Sequence, residues 1–240
     1  MQLLIIPFIG SVLLFVGTPV AYSFFATSSN KHKAETEIKG CNLPLLSDMF
    51  AEWPLLSSSC TGVGMTLLFS GITVNSVVRM PSMMDVQVDV IDSIVWMSSV
   101  QQAVIWIVVC TSGEKGFPPT VIGILHYAAA FVCMVVPVVI LHYMDIIFTA
   151  IAVATIDSSL QMACWWIRCN IWIASCGVLA ALAAVGRILH LRKDAGFSHW
   201  RQLLVVGELS ILGACGMGYF TTMYCFSTIE VDIATLMIRQ

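Results

Sequence analysis

Charge is what this sequence is shortest of. Only 10% of its 240 residues are Asp, Glu, Lys or Arg, where an ordinary soluble domain carries about a quarter. A water-soluble globule of this size cannot cover its surface with so few charges. A bilayer lifts that requirement, because lipid is then the solvent of the outer face. The net charge is −3 and no Lys/Arg-rich stretch with interleaved aromatics occurs, which sets nucleic acid aside as a partner. Phosphate-binding loops and nucleophile elbows are missing, and so is any Asn-x-Ser/Thr site. Cys164 and Cys169 bracket Trp165 and Trp166 without a second pair of zinc-type ligands, so no metal and no cofactor are expected.

What is present is apolar: 58% of the residues are hydrophobic. They fall into runs of the roughly 20 residues needed to cross about 30 Å of hydrocarbon. The expectation is an all-α polytopic membrane protein, residues 1–240 forming a single six-helix transmembrane domain. Spans are expected at about 3–25, 60–78, 91–110, 120–143, 163–186 and 202–226. The first run lacks the basic flank and short core of a secretory signal, so it reads as a retained helix. Residues 26–59 read as a polar loop. Between Asp145 and Asp157 the apolar core is only about 11 residues long, short for a span. It reads as an extension of the fourth helix plus an interfacial segment, with a seventh span as the alternative.

Seven of the nine cysteines lie in or at the ends of apolar runs, where they act as small hydrophobes. Cys41 and Cys60 bracket the longest polar stretch. They form a disulfide if that stretch meets an oxidising lumen; alternatively Cys60 simply opens a helix. The loop charges point the other way. Lys31, Lys33, Lys39, Lys115, Arg187, Arg192, Lys193 and Arg201 fall on the side of the first, third and fifth loops, against Arg79, Arg168 and Arg239 on the other. The positive-inside rule then favours an outside N-terminus.

Ionisable groups in a span are expensive and are candidates for function. His126 opens the fourth span, and Ala130, Cys133 and Pro137 share its stripe at 100° per residue. Pro137 cannot donate to the Cys133 carbonyl, which leaves that oxygen free on the histidine's face; His126 reads as bonded to a neighbouring helix for packing, with a small polar-lined pocket as the alternative. Glu208 opens the sixth span with Leu212, Cys215 and Tyr219 on its stripe, while Gly207, Ser210, Ala214 and Gly218 form a small-residue seam on another face. Glu208 faces a cavity, or is a plain interfacial carboxylate. Gly62, Thr66, Ser70 and Thr73 form a polar stripe on the second span, read as interhelical bonding or as a substrate path. Gln101 and Gln102 carry the same two readings.

The order of landmarks is similar to a known family. Leu43-Pro44-Leu45-Leu46-Ser47-Asp48 and Glu52-Trp53-Pro54 precede the second span. Leu125-His126-Tyr127 opens the fourth and Ile167-Arg168 the fifth, and Glu208 is followed by Tyr219-Phe220-Thr221-Thr222. Together they resemble the damage-regulated autophagy modulator superfamily over nearly the whole chain. That superfamily includes membrane proteins that remodel the lipid of GPI anchors and others that hold a phosphoinositide kinase at the plasma membrane. Pro44, Ser47, His126, Arg168 and Glu208 match its pattern, and Leu209 departs from the aromatic that usually follows the Glu.

The resemblance implies both termini in the cytosol and the first loop in a lumen or outside, against the charge count. It implies a lysosomal, other endomembrane or plasma-membrane site. The implied partners are membrane lipids and other membrane proteins. Three roles are weighed. The first is a non-enzymatic regulator or scaffold of autophagic, lysosomal or phosphoinositide membrane homeostasis. The second is lipid handling with GPI anchors as substrate, and the third a transporter or channel. With six spans, Ser47, Asp48, His126 and Glu208 fall on one membrane side as a candidate polar cluster. Arg168 falls on the other, as a lipid-phosphate site or a topological anchor.

Overall fold

A backbone in hydrocarbon must satisfy its own N–H and C=O groups, and a helix does so within one segment. The computed structural model describes residues 2–34, 44–79, 88–112, 120–191 and 197–238, and there is no strand among them. Helix α1 (Gln2–Val12) continues through a π-helical turn, Leu13–Gly17, into α2 (Thr18–Ala34). Two short helices follow, α3 (Leu46–Glu52) and α4 (Pro54–Ser57). The latter runs through a second π-helical turn, Ser58–Val63, into α5 (Gly64–Arg79). Then come α6 (Val88–Thr111), α7 (Val121–Thr155), α8 (Ser158–Leu191) and α9 (Phe197–Ile238).

Six stretches are long and apolar enough to cross a membrane: Leu4–Ser28, Pro54–Val78, Asp89–Thr111, Val121–Thr155, Ser158–Arg187 and His199–Ile229. Large apolar side chains such as Phe24, Trp96, Trp172 and Leu179 stand exposed on the outside, as lipid permits and water does not. The chain is a multi-pass integral membrane protein, an all-α six-helix bundle.

Several spans differ in extent from the sequence reading. Their ends are set by local capping, whereas the reading stopped at hydrocarbon thickness. The second opens at Pro54 instead of residue 60, because a proline at the first helical position loses no hydrogen bond there. The fourth opens where Thr120 Oγ1 accepts from the Gly123 N–H at 3.1 Å. It runs on to Thr155 and stops at Ile156, in the left-handed region with φ 55°. Residues 144–155 therefore belong to α7, as the extension reading expects. Residues 158–162 open α8 instead of lying as an interfacial segment, and no seventh span occurs among the described residues. The polar loop also shrinks: α2 continues to Ala34, and α3 and α4 occupy the residues before Ser58.

Asp157 starts α8. Its Oδ1 accepts from Ser159 N–H at 2.7 Å, Leu160 N–H at 3.2 Å and the Ser159 hydroxyl at 2.7 Å. The Ser159 hydroxyl, followed by the Leu160 N–H, holds the Asp157 carboxyl below the usual value. A carboxylate lowered in the folded state adds stability that is fully present above its unfolded pKa and lost as pH falls through the folded one. Asn caps a helix as well as Asp does. D157N is therefore expected to leave stability near neutrality almost unchanged and to flatten its decline in acid. Thermal unfolding of both forms across an acidic pH series checks this.

The spans close in cyclic order, α1–α5–α6–α7–α8–α9, with α9 returning to α1. Small residues set the closest approaches. A Cβ on Gly10 would lie 2.7 Å from the Gly64 carbonyl oxygen, and one on Gly207 would lie 2.8 Å from that of Gly177. The expected seam on α9 thus faces two helices: Gly207 meets α8, while Gly218 meets Leu141 on α7. The polar stripe of the second span joins α5 to α6. Thr66 Oγ1 accepts from Trp106 Nε1 at 3.1 Å, and Ser70 donates to Gln102 Oε1 at 3.0 Å. Gly62 lies flat against the Trp106 ring. The bonds of Thr66 and Ser70 are interhelical.

Candidate functional site

The first loop returns to the bundle and seats α3 between the first and sixth spans. Tyr22 on α2 donates its hydroxyl to the Pro44 carbonyl at 2.6 Å. Phe25 meets Trp53 edge-on, with ring centroids 5.4 Å apart. Two acids hold the start of α3. Asp48 Oδ2 reaches back to accept from the Leu45 N–H at 2.8 Å, the reach of an acid three positions into a helix. The same oxygen accepts from Arg201 Nη2 at 2.8 Å. Glu208 Oε2 accepts from the Leu46 N–H at 3.1 Å. Met49 and Phe50 are buried beneath.

Under α3 lies a cavity of about 100 Å³. Leu46 and Phe50 close its surface end, with Glu208 beside them; Leu212, Cys215 and Tyr219 continue the α9 wall inward. Ala130, Cys133 and Pro137 of α7 form another wall. Both stripes singled out in the sequence thus border one space. From Glu208 to Tyr219 the α9 wall runs about 16 Å, at 1.5 Å per residue, so the lining follows the bundle axis as a slot. Five spans line it, and α8 stands outside.

The slot is apolar. The hydroxyls on its lining are engaged. Thr61 Oγ1 lies 3.0 Å from Thr18 Oγ1. The Tyr219 hydroxyl donates to the Pro137 carbonyl at 2.8 Å. The Cys133 carbonyl that Pro137 releases accepts from Gln101 Nε2 at 3.4 Å, and that nitrogen also meets Met65 Sδ at 3.2 Å. Glu208 is the carboxylate on the lining. Both π-helical turns border the slot, through Leu14 and Phe15 on one side and Thr61 on the other. Such turns push side chains out of helical register.

Of the candidate cluster, Asp48 and Glu208 meet at the start of α3. Ser47 lies in its first turn. His126 is 2% exposed and does not line the slot. Its Nδ1 lies 3.1 Å from Thr111 Oγ1 at the end of α6, and its ring meets Tyr127 edge-on. Cys60 is a free thiol packed near Gly17; Cys41, its expected partner, lies outside the described residues. No cluster of three metal-ligating side chains forms among the described residues.

Arg168 is engaged within the protein. Its Nε donates to Asp145 Oδ2 at 2.9 Å and Oδ1 at 3.1 Å, and its Nη2 to Thr149 Oγ1 at 2.6 Å. The Asp145 side chain is 9% exposed and that of Arg168 49%. It neutralises a nearly buried acid on α7. Sequence reasoning passed over Tyr22, Arg201 and Asp145. Arg201 and Asp145 were visible as charges bordering spans. Their partners are 153 and 23 residues away, and only the packed bundle brings them together. Tyr22 gave no signal in an apolar run.

No family model, curated protein or solved structure matches the chain.

Proposed function

We propose that this protein is a non-enzymatic regulator or scaffold of membrane lipid homeostasis. One observation carries the reading. The ionisable groups that a membrane enzyme would need are engaged in joining segments of the fold. Asp48 holds Arg201 and its own helix, Glu208 holds the start of α3, Asp145 holds Arg168, and His126 meets Thr111. A general base must reach the proton it removes, and these groups are turned to helix contacts. The resemblance to the damage-regulated autophagy modulator superfamily points this role toward autophagic, lysosomal or phosphoinositide-bearing membranes. It also supports cytosolic termini with α3 on the lumenal or outer side.

A second reading is lipid handling, with GPI-anchor lipids as the resemblance suggests. The slot favours it, since an apolar space inside a bundle suits a hydrocarbon chain. Deleting the protein and following autophagic flux, phosphoinositide levels and the chain composition of GPI-anchored proteins separates the two. A change in flux or phosphoinositides with unchanged anchors supports the regulator. Altered anchor chains alone support lipid handling. No change in any of the three contradicts both.

A further inference from the structure

We propose that the slot beneath α3 binds a single hydrocarbon chain of a lipid whose head donates a hydrogen bond to Glu208. The inference deepens the lipid-handling reading and does not depend on the regulator reading.

The shape decides for a chain. The slot follows the bundle axis for about 16 Å, yet its volume is only about 100 Å³. An apolar space of about 150 Å³ takes a benzene ring; a smaller volume whose lining runs over this length suits one extended chain better than a ring system. Water is a poor occupant. A buried water needs two to four polar partners, and the Thr61 and Tyr219 hydroxyls are already bonded within the protein. Within a six-span bundle the abundant apolar solute is lipid. Both π-helical turns, on neighbouring spans, bring Leu14, Phe15 and Thr61 to the space.

The polar end sets the head group. Glu208 stands at the surface end beside Leu46 and Phe50. A carboxylate offers about four acceptor positions, so it can take a ligand donor beside the contacts it already makes. A hydroxyl head donates there. A fatty-acid carboxylate cannot donate, and repels a like charge. Entry passes under α3, whose Leu46 and Phe50 close the slot and whose first turn is tied to Arg201 and Glu208.

The test uses two probes, hexadecanol and hexadecanoic acid, each carrying a photoreactive diazirine in mid-chain. Each is added to the full-length protein in lipid nanodiscs. The alcohol is expected to label peptides of α7 and α9 that line the slot, in preference to the acid. A130F fills the slot and is expected to cut that labelling about tenfold. C133L, a smaller filling change, is expected to cut it less, and keeps the test open if A130F does not fold. E208Q retains an acceptor and gains a donor, so it is expected to admit the acid probe as well as the alcohol. Labelling spread evenly over the lipid-facing surface, or unchanged in a folded filling variant, overturns the proposal. Equal labelling by both probes in the unaltered protein overturns the head-group assignment. The deletion experiment tests the regulator and lipid-handling readings separately from these labelling results.

Discussion

Replacing Gly10 by alanine is expected to cost about 3 kcal/mol. The first two spans cross where Gly10 meets the backbone of the second. Its added Cβ would sit 2.7 Å from the Gly64 carbonyl oxygen and 2.9 Å from the Leu67 carbonyl carbon. These are main-chain atoms, so no rotamer change relieves the contact. One span must move off the other, and with it the Leu14 and Phe15 wall of the slot. Gly213 provides the control, because a Cβ there meets nothing within 4 Å. G213A is expected to stabilise by about 0.5–1 kcal/mol, the ordinary gain of alanine over glycine in a helix. Unfolding of both variants in mixed micelles gives the two signs directly. Equal effects would mean that the first two spans do not cross at Gly10.

The second large effect is expected at the far end of the bundle. Asp145 lies about 36 Å along α7 from Val121 at helical rise, past the thickness of the hydrocarbon core. Its carboxylate is nearly buried, and Arg168 supplies two of its contacts. R168L leaves that carboxylate with Thr149, whose hydroxyl donates to Oδ1 at 3.2 Å. The expected cost is about 2 kcal/mol, below the full value for a buried pair because the guanidinium is half exposed. D145L alone should cost less, since it leaves an accessible cation instead of a buried anion. The double variant D145L/R168L is expected to recover most of the loss, as apolar replacements of ion pairs often do. Equal losses from all three variants would show that the pair does not couple α7 to α8.

The six spans were legible because apolar length alone announces a transmembrane helix. The faces of α7 and α9 were legible too. Helical periodicity puts Ala130, Cys133 and Pro137 on one stripe and Glu208, Leu212, Cys215 and Tyr219 on another, and both stripes border the slot. The stripe does not say how far up it a residue stops facing the space, and His126 turns instead to Thr111. Helix α3 was hidden because it is short and lies in a polar stretch. Its helix depends on Asp48 reaching back to the Leu45 N–H and on contacts with Tyr22, Arg201 and Glu208. The Asp145–Arg168 pair was hidden by the hairpin register. That register follows from Ile156 in the left-handed region and Asp157 as the cap of α8, two local choices with no signature in hydropathy.

The most direct test of this arrangement is the sidedness and proximity of positions 48 and 201. Each is replaced by cysteine, singly and together, in a background without other cysteines, and the protein is placed in sealed vesicles of one orientation. An impermeant maleimide is expected to label both from the same face, and a short bismaleimide to join them, while a cysteine at position 157 is labelled only from the opposite face. Labelling of 48 and 201 from opposite faces, or no cross-link between them in folded protein, would contradict the docking of α3 on the sixth span and the slot it closes.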